Sequence, residues 1–267
     1  MKSGSQAPPG VYFALPLFYQ ADYSSLRGPA GNRVPLNLNT TINLFAPVIA
    51  VTTKWKVAGA HYGFQIVPLI MNQRFDLAAT STQTSSGYNF GDTYVQPVTL
   101  GWSKKRADFV AGYGIFIPTG VGDRSLEMFG HELSAGSTIY FDEAKKWHGA
   151  ATMFYEMHQR KRTNDVRVGD FLTIEGGIGR AFLKGAANAG LAYVMQWKTT
   201  DDTGSTIPPA LRGKNKAYAV GPEINLPFVA KGKLVGLFGF RYTFEMGNSA
   251  NFQGNNLVAS ITLAKLN

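Results

Sequence analysis

The stretch GVYFALPLFYQADY, residues 10–23, carries Val11, Phe13, Leu15, Leu17, Tyr19, Ala21 and Tyr23 at its odd positions, while its even positions end in Gln20 and Asp22. A period of two is the signature of a strand with one apolar face. The rhythm returns down the chain. Leu191, Tyr193, Met195 and Trp197 alternate with Gln196 and Lys198, and Leu257, Ala259, Ile261 and Leu263 alternate with Asn256, Ser260 and Thr262. The pattern predicts strands near 10–23, 36–56, 59–77, 90–104, 106–118, 127–142, 146–162, 166–182, 186–200, 214–228, 232–246 and 251–265.

The connections between these strands alternate in kind. Long polar ones run from Ser24 to Pro35, Ala78 to Asn89, Thr119 to Leu126, Thr163 to Asp165, Asp201 to Gly213 and Gly247 to Ala250. Short ones, most of them basic, centre on Val57-Ala58, Lys105, Glu143-Ala144-Lys145, Leu183-Lys184-Gly185 and Ala230-Lys231. An even number of antiparallel strands with long outer loops and short periplasmic turns is the plan of a bacterial outer-membrane barrel. A soluble sandwich or propeller has no reason to keep this alternation. The expected fold is therefore all-β, a transmembrane antiparallel up-and-down β-barrel of about twelve strands. It forms one domain over 10–267, preceded by a disordered segment over 1–9.

Composition agrees without deciding the matter. The mean hydropathy of -0.08 suits a soluble protein equally well, because alternating strands dilute their apolar half with a polar half. No run of roughly 18 apolar residues is present, which removes a helical membrane span. Aromatic residues at 13% and 30 glycines favour β-structure with tight turns. With 0 cysteines there is no disulfide, thiol catalyst or cysteine-ligated metal. The start, MKSGSQAPPG, lacks the apolar core of a secretory signal. Either the protein is cytosolic, or an initiator Met has replaced the signal; the second reading fits the barrel. The net charge of +9 raises nucleic acid as a partner, but the basic residues sit at turns and not along one face. Outer-membrane lipids and lipopolysaccharide are the better partners, with no nucleic acid and no cofactor.

Trp55, Trp102 and Trp147 fall beside short turns and Trp197 near the end of a long loop. An indole prefers the membrane interface, where its ring is buried and its N–H stays wet, so these four are a candidate girdle; ordinary core tryptophans are the alternative. Lys54, Lys56, Lys104, Lys105, Arg106, Lys145, Lys146, Lys184, Lys231 and Lys233 flank the same short turns as solvated charge.

Several ordered pieces resemble one known family. They are Gly91-Asp92-Thr93-Tyr94-Val95-Gln96-Pro97 with Leu100-Gly101-Trp102, then Asp108-Phe109, Gly112-Tyr113-Gly114 and Pro118-Thr119-Gly120. Gly169-Asp170-Phe171 with Glu175, Asp201-Asp202-Thr203-Gly204, Gly221-Pro222-Glu223 and Arg241-Tyr242 with Phe244-Glu245 complete the set. Together they are similar to the outer-membrane phenol meta-degradation pathway (MetA-type) transporter family. The resemblance implies an outer-membrane barrel tied to uptake of small aromatic or hydrophobic solutes. The chain departs from the common pattern of a terminal aromatic by ending in Leu266-Asn267.

In a barrel one parity of each strand faces lipid and the other the lumen, so strand-borne charges point inward. Glu156, Glu175, Gln196, Glu223, Asn225, Arg241 and Glu245 then form a lumenal polar network, in which Arg241 neighbours Glu223 and pairs with it. This network either plugs and rigidifies the barrel or forms a constriction that selects solutes. Tyr12, Phe18, Val67, Leu69, Met71 and Phe116 are expected to line the lumen as apolar groups. They either fill the core or provide a path for an apolar solute. Prolines fall near the middle of four successive strands, at Pro16, Pro47, Pro68 and Pro97. Proline cannot donate to the ladder, so this wall is a candidate lateral gate, with isolated bulges in an intact wall as the alternative. About twelve strands set a bore between a packed small barrel and an open porin, which predicts a narrow, partly blocked channel.

An enzyme reading has little support. His131 and Ser134 are the closest Ser-His candidates, but three positions apart on a strand they point to opposite faces. No HExxH, GxSxG or phosphate-binding loop is present. The 4 histidines, at 61, 131, 148 and 158, do not make a metal site. The reading is a passage protein for small hydrophobic solutes, with no catalytic residues. A closed structural or adhesive barrel, and a lipid-modifying enzyme, are the other two classes.

Overall fold

A computed structural model describes residues 2–14, 18–77, 82–205, 213–230 and 233–266. The strands are β1 (Gly10–Ala14), β2 (Phe18–Arg27), β3 (Leu38–Phe45), β4 (Val48–Val57), β5 (Ala60–Leu77), β6 (Thr82–Ser103) and β7 (Ala107–Ile117). They continue with β8 (Gly130–Tyr140), β9 (Trp147–His158), β10 (Phe171–Phe182), β11 (Ala187–Lys198), β12 (Lys216–Ala230), β13 (Lys233–Glu245) and β14 (Asn251–Leu266). Both β1 and β2 pair with β14, and both β3 and β4 pair with β5, so each couple fills one position in the wall. The pairing of β14 with β1 and β2 closes the sheet. The result is a closed antiparallel barrel of 12 strands, in which the first and last wall positions pair with each other and do not stand as edges for other chains.

Turn chemistry explains the tight ends. Ala58 and Gly59, at φ 49° and 80°, make a two-residue hairpin between β4 and β5. Positive φ at both positions matches the twist of the flanking strands. At the opposite end the strands outrun expectation: β6 begins at Thr82, so part of the anticipated loop before residue 90 is sheet. On β5 the outward face reads Tyr62, Phe64, Ile66, Pro68 and Ile70 before turning polar at Asn72, Arg74 and Asp76. Eight rises of about 3.3 Å, tilted by about 40°, make that apolar stretch about 20 Å tall, close to an outer-membrane band.

Exposure is inverted relative to a water-soluble protein. Ile49, Phe64, Leu133, Ile139, Ile178, Leu191 and Leu263 are exposed, while Glu132, Thr138, His148, Glu223 and Asn256 are buried. An apolar exterior around a polar interior is what a lipid environment demands.

The opening stretch does not keep one parity. From Ala14 to Phe18 the chain advances four positions, but the partners advance three: Val48 to Phe45 on one side and Thr262 to Ala259 on the other. One extra residue in the first wall position flips every side chain beyond it. Tyr12 and Ala14 therefore face inward with Val48 and Ala50, but Tyr19 and Tyr23 also face inward. Phe18, expected in the lumen, lies on the outer face, its ring 5.1 Å from that of Phe45.

Candidate functional site

Residues directly opposite in an antiparallel pair share a face, so the ladder register assembles the lumen. Glu132 on β8 faces Glu156 on β9, Glu175 on β10 faces Thr152, and Glu223 on β12 faces Arg241 on β13. The guanidinium of Arg241 meets Glu223 Oε2 through both Nε and Nη2 at 2.8 Å, and its Nη1 lies 3.8 Å from Glu175 Oε2. Asn225 donates to Glu223 Oε1 at 2.9 Å, and Gln196 to Thr173 at 3.1 Å. Glu245 accepts from Asn248 and Asn256, each at 2.9 Å, and Tyr19 closes the chain by donating to Asn256 at 2.6 Å.

Glu175, Gln196, Arg241, Glu245 and Asn256 border a lumenal cavity of about 370 Å³, walled also by Tyr19, Tyr23 and Phe252. Ligand pockets begin near this size. Sequence reasoning placed Glu175, Arg241 and Glu245 here but missed the two tyrosines, because the inserted residue before Phe18 reverses their parity. It also missed Glu132, whose carboxylate accepts from Tyr94 at 2.6 Å. Alternation with exposed Leu133 was the signal that could have found it.

The N-terminal segment differs from its expected disorder. Ser3 donates to the Glu175 carbonyl at 3.3 Å, Ser5 to Asp108 Oδ2 at 2.8 Å, and Tyr12 to the Pro8 carbonyl at 2.6 Å. Gln6 packs where a Cβ on Gly63 or Gly101 would stand. Glycine at those two positions makes room for the segment against the inner wall. Residues 2–9 thus lie inside the short-turn end of the barrel.

The proline wall is irregular. Pro47 sits between β3 and β4, outside either strand. Pro68 and Pro97 adjoin register shifts, between Pro68 and Ile70 against β6 and between Val95 and Val98 against β7. Pro16 lies outside the described residues. A second cavity of about 310 Å³ borders this wall, lined by Gln6, Tyr12, Val48, Ala50 and Gln65. By parity Val67, Leu69 and Met71 face inward along β5, and the Phe116 ring lies 4.8 Å from that of Tyr94.

Trp55 and Trp147 are 74% and 49% exposed at the short-turn end. Trp102 donates to the Ala58 carbonyl at 3.0 Å, and Trp197 to the Tyr218 hydroxyl at 3.0 Å at the other end. Ser134 shares the inner face with Glu132, whereas His131 is turned outward, its Nδ1 2.8 Å from the Tyr113 hydroxyl.

The sequence profile of a family described as putative MetA-pathway of phenol degradation matches residues 24–261. No curated protein matches the chain. The fold is similar to an outer membrane channel from Pseudomonas putida F1, at a TM-score of 0.83 and 10% identity, covering 98% of each chain. It is also similar to the beta domain of the Bordetella autotransporter BrkA, at a TM-score of 0.50 and 12% identity, covering 96% of this chain and 99% of that one.

Proposed function

Because the chain belongs to the family described as putative MetA-pathway of phenol degradation, we propose that it is an outer-membrane channel for passive uptake of small hydrophobic or aromatic compounds. The observation that carries this reading is the lumenal cavity bounded by Tyr19, Tyr23 and Phe252 inside a barrel whose exterior is apolar. Aromatic walls provide contact area for a ring, and the polar network provides a few fixed hydrogen-bonding groups. The long loops face outward and the short turns the periplasm, where residues 2–9 narrow the exit.

The irregular wall at Pro47, Pro68 and Pro97 supports a lateral opening, because interrupted pairing lowers the work of parting neighbouring strands. Through it an apolar solute would leave the lumen for the bilayer. Outer-membrane lipids, lipopolysaccharide among them, surround the barrel as partners, with the tryptophans at the interface. The protein is not an enzyme in this reading, since His131 and Ser134 lie on opposite faces of β8.

Uptake of phenol into liposomes carrying the purified protein tests the channel. A rate well above that of empty liposomes is expected. A rate equal to empty liposomes would leave a closed structural barrel.

A further inference from the structure

The charges on one wall of the lumen are unequal. Among the described residues, the inner faces of β8–β13 carry Glu132, Glu156, Glu175, Glu223 and Glu245. Two cations share those faces, and Lys2 of the N-terminal segment adds another at the short-turn end, 5.8 Å over the Tyr140 ring. Lys198 is paired with Asp202 at 2.5 Å at the long-loop rim, and Arg241 is held by Glu223 while reaching Glu175. Neither of these two wall cations is left for a passing anion. In a narrow, low-dielectric passage an excess of one sign concentrates ions of the other and repels its own.

The cavity sharpens this general field. Glu245 is occupied by Asn248, Asn256 and the Gly254 N–H. Glu175 differs: among the described residues its carboxylate accepts no hydrogen bond, and its ion pair with Arg241 is long, at 3.8 Å. Its carboxylate, a third exposed, borders the same cavity as Tyr19, Tyr23 and Phe252. A ring seated among those aromatics can donate a hydroxyl hydrogen to Glu175, while a ring carrying a carboxylate brings like charge against it.

We propose that the lumen selects by charge, passing cations and neutral hydroxylated aromatics, which donate to Glu175, and turning away aromatic carboxylates. The inference rests on the channel reading and adds to it the chemistry of the solute.

Two measurements test it separately from that reading. In planar bilayers under a KCl gradient, the protein should prefer K⁺ over Cl⁻ severalfold. The E132Q/E156Q/E175Q triple variant, its fold checked by heat-dependent gel mobility, should lose most of that preference. A wild-type reversal potential of zero, or of the anion-selective sign, overturns the proposal while leaving a channel in place. If no current flows, phenol uptake by liposomes decides the channel reading, and binding of phenol and benzoate to the detergent-solubilised protein decides the selectivity. Tighter phenol binding that weakens in Glu175→Gln supports it, and equal, reversed or absent binding overturns it.

Discussion

Glu223 and Arg241 face one another across neighbouring strands, with two guanidinium nitrogens on a single carboxylate oxygen at 2.8 Å. The Glu223 side chain is 9% exposed and that of Arg241 25%. The pair therefore sits in a partly watered lumen and not in a dry core. Hydrogen bonds to charged groups in such settings contribute about 1.5–3 kcal/mol.

Replacing Arg241 by methionine keeps the stem and removes the charge. The barrel should lose about 1–3 kcal/mol of stability, seen as a lower temperature for the shift in gel mobility. R241M/E223Q should recover part of the loss, because the buried negative charge goes with its counter-charge. A double variant no more stable than R241M would show that the ion pair is not what Arg241 contributes.

The pairing was legible because it depends only on parity and strand order, and both are written in the alternation around Glu223 and Arg241. The closed barrel and its alternating loops were legible for the same reason. Parity past residue 14 was not. One added residue against β4 and β14 leaves the local alternation of apolar side chains intact, so Phe18 read as inward and Tyr19 as outward. Only the partner strands record the shift. Residues 2–9 carry no strand rhythm at all, and what orders them is space left at Gly63 and Gly101, far along the chain.

Acid should loosen one tight turn before the wall. The Asp142 carboxylate accepts from the Trp147 N–H at 2.6 Å and the Lys146 N–H at 3.1 Å, and the first of these chiefly holds its pKa below the ordinary aspartate value of 3.8. A depressed folded-state pKa contributes stability that is present above the unfolded value and is lost as pH falls through the folded one. Trp147 emission should thus be constant above about pH 4 and change below it. Asp142→Asn should remove most of that acid step.

The N-terminal segment should limit flow. Deleting residues 2–9 removes Ser5 from Asp108 and Gln6 from Gly63 and Gly101, so single-channel conductance should rise severalfold. Gly101→Val places a side chain where Gln6 lies and should produce a smaller rise without shortening the chain. Unchanged conductance in both would mean that the path for ions runs elsewhere.

The proline wall makes the most demanding prediction, because it separates two routes through one barrel. Pro47, Pro68 and Pro97 each withhold an N–H, and the ladder slips beside Pro68 and Pro97. The triple alanine variant regains three donors, and a better-paired wall should be more stable, as missing ladder bonds are what confine proline to edges and bulges. If apolar solutes leave sideways, their uptake should fall severalfold while K⁺ conductance along the axis stays near the wild-type value. Equal loss of both would place the solute on the axial path with the ions, and loss of neither would make the prolines simple bulges in a sealed wall.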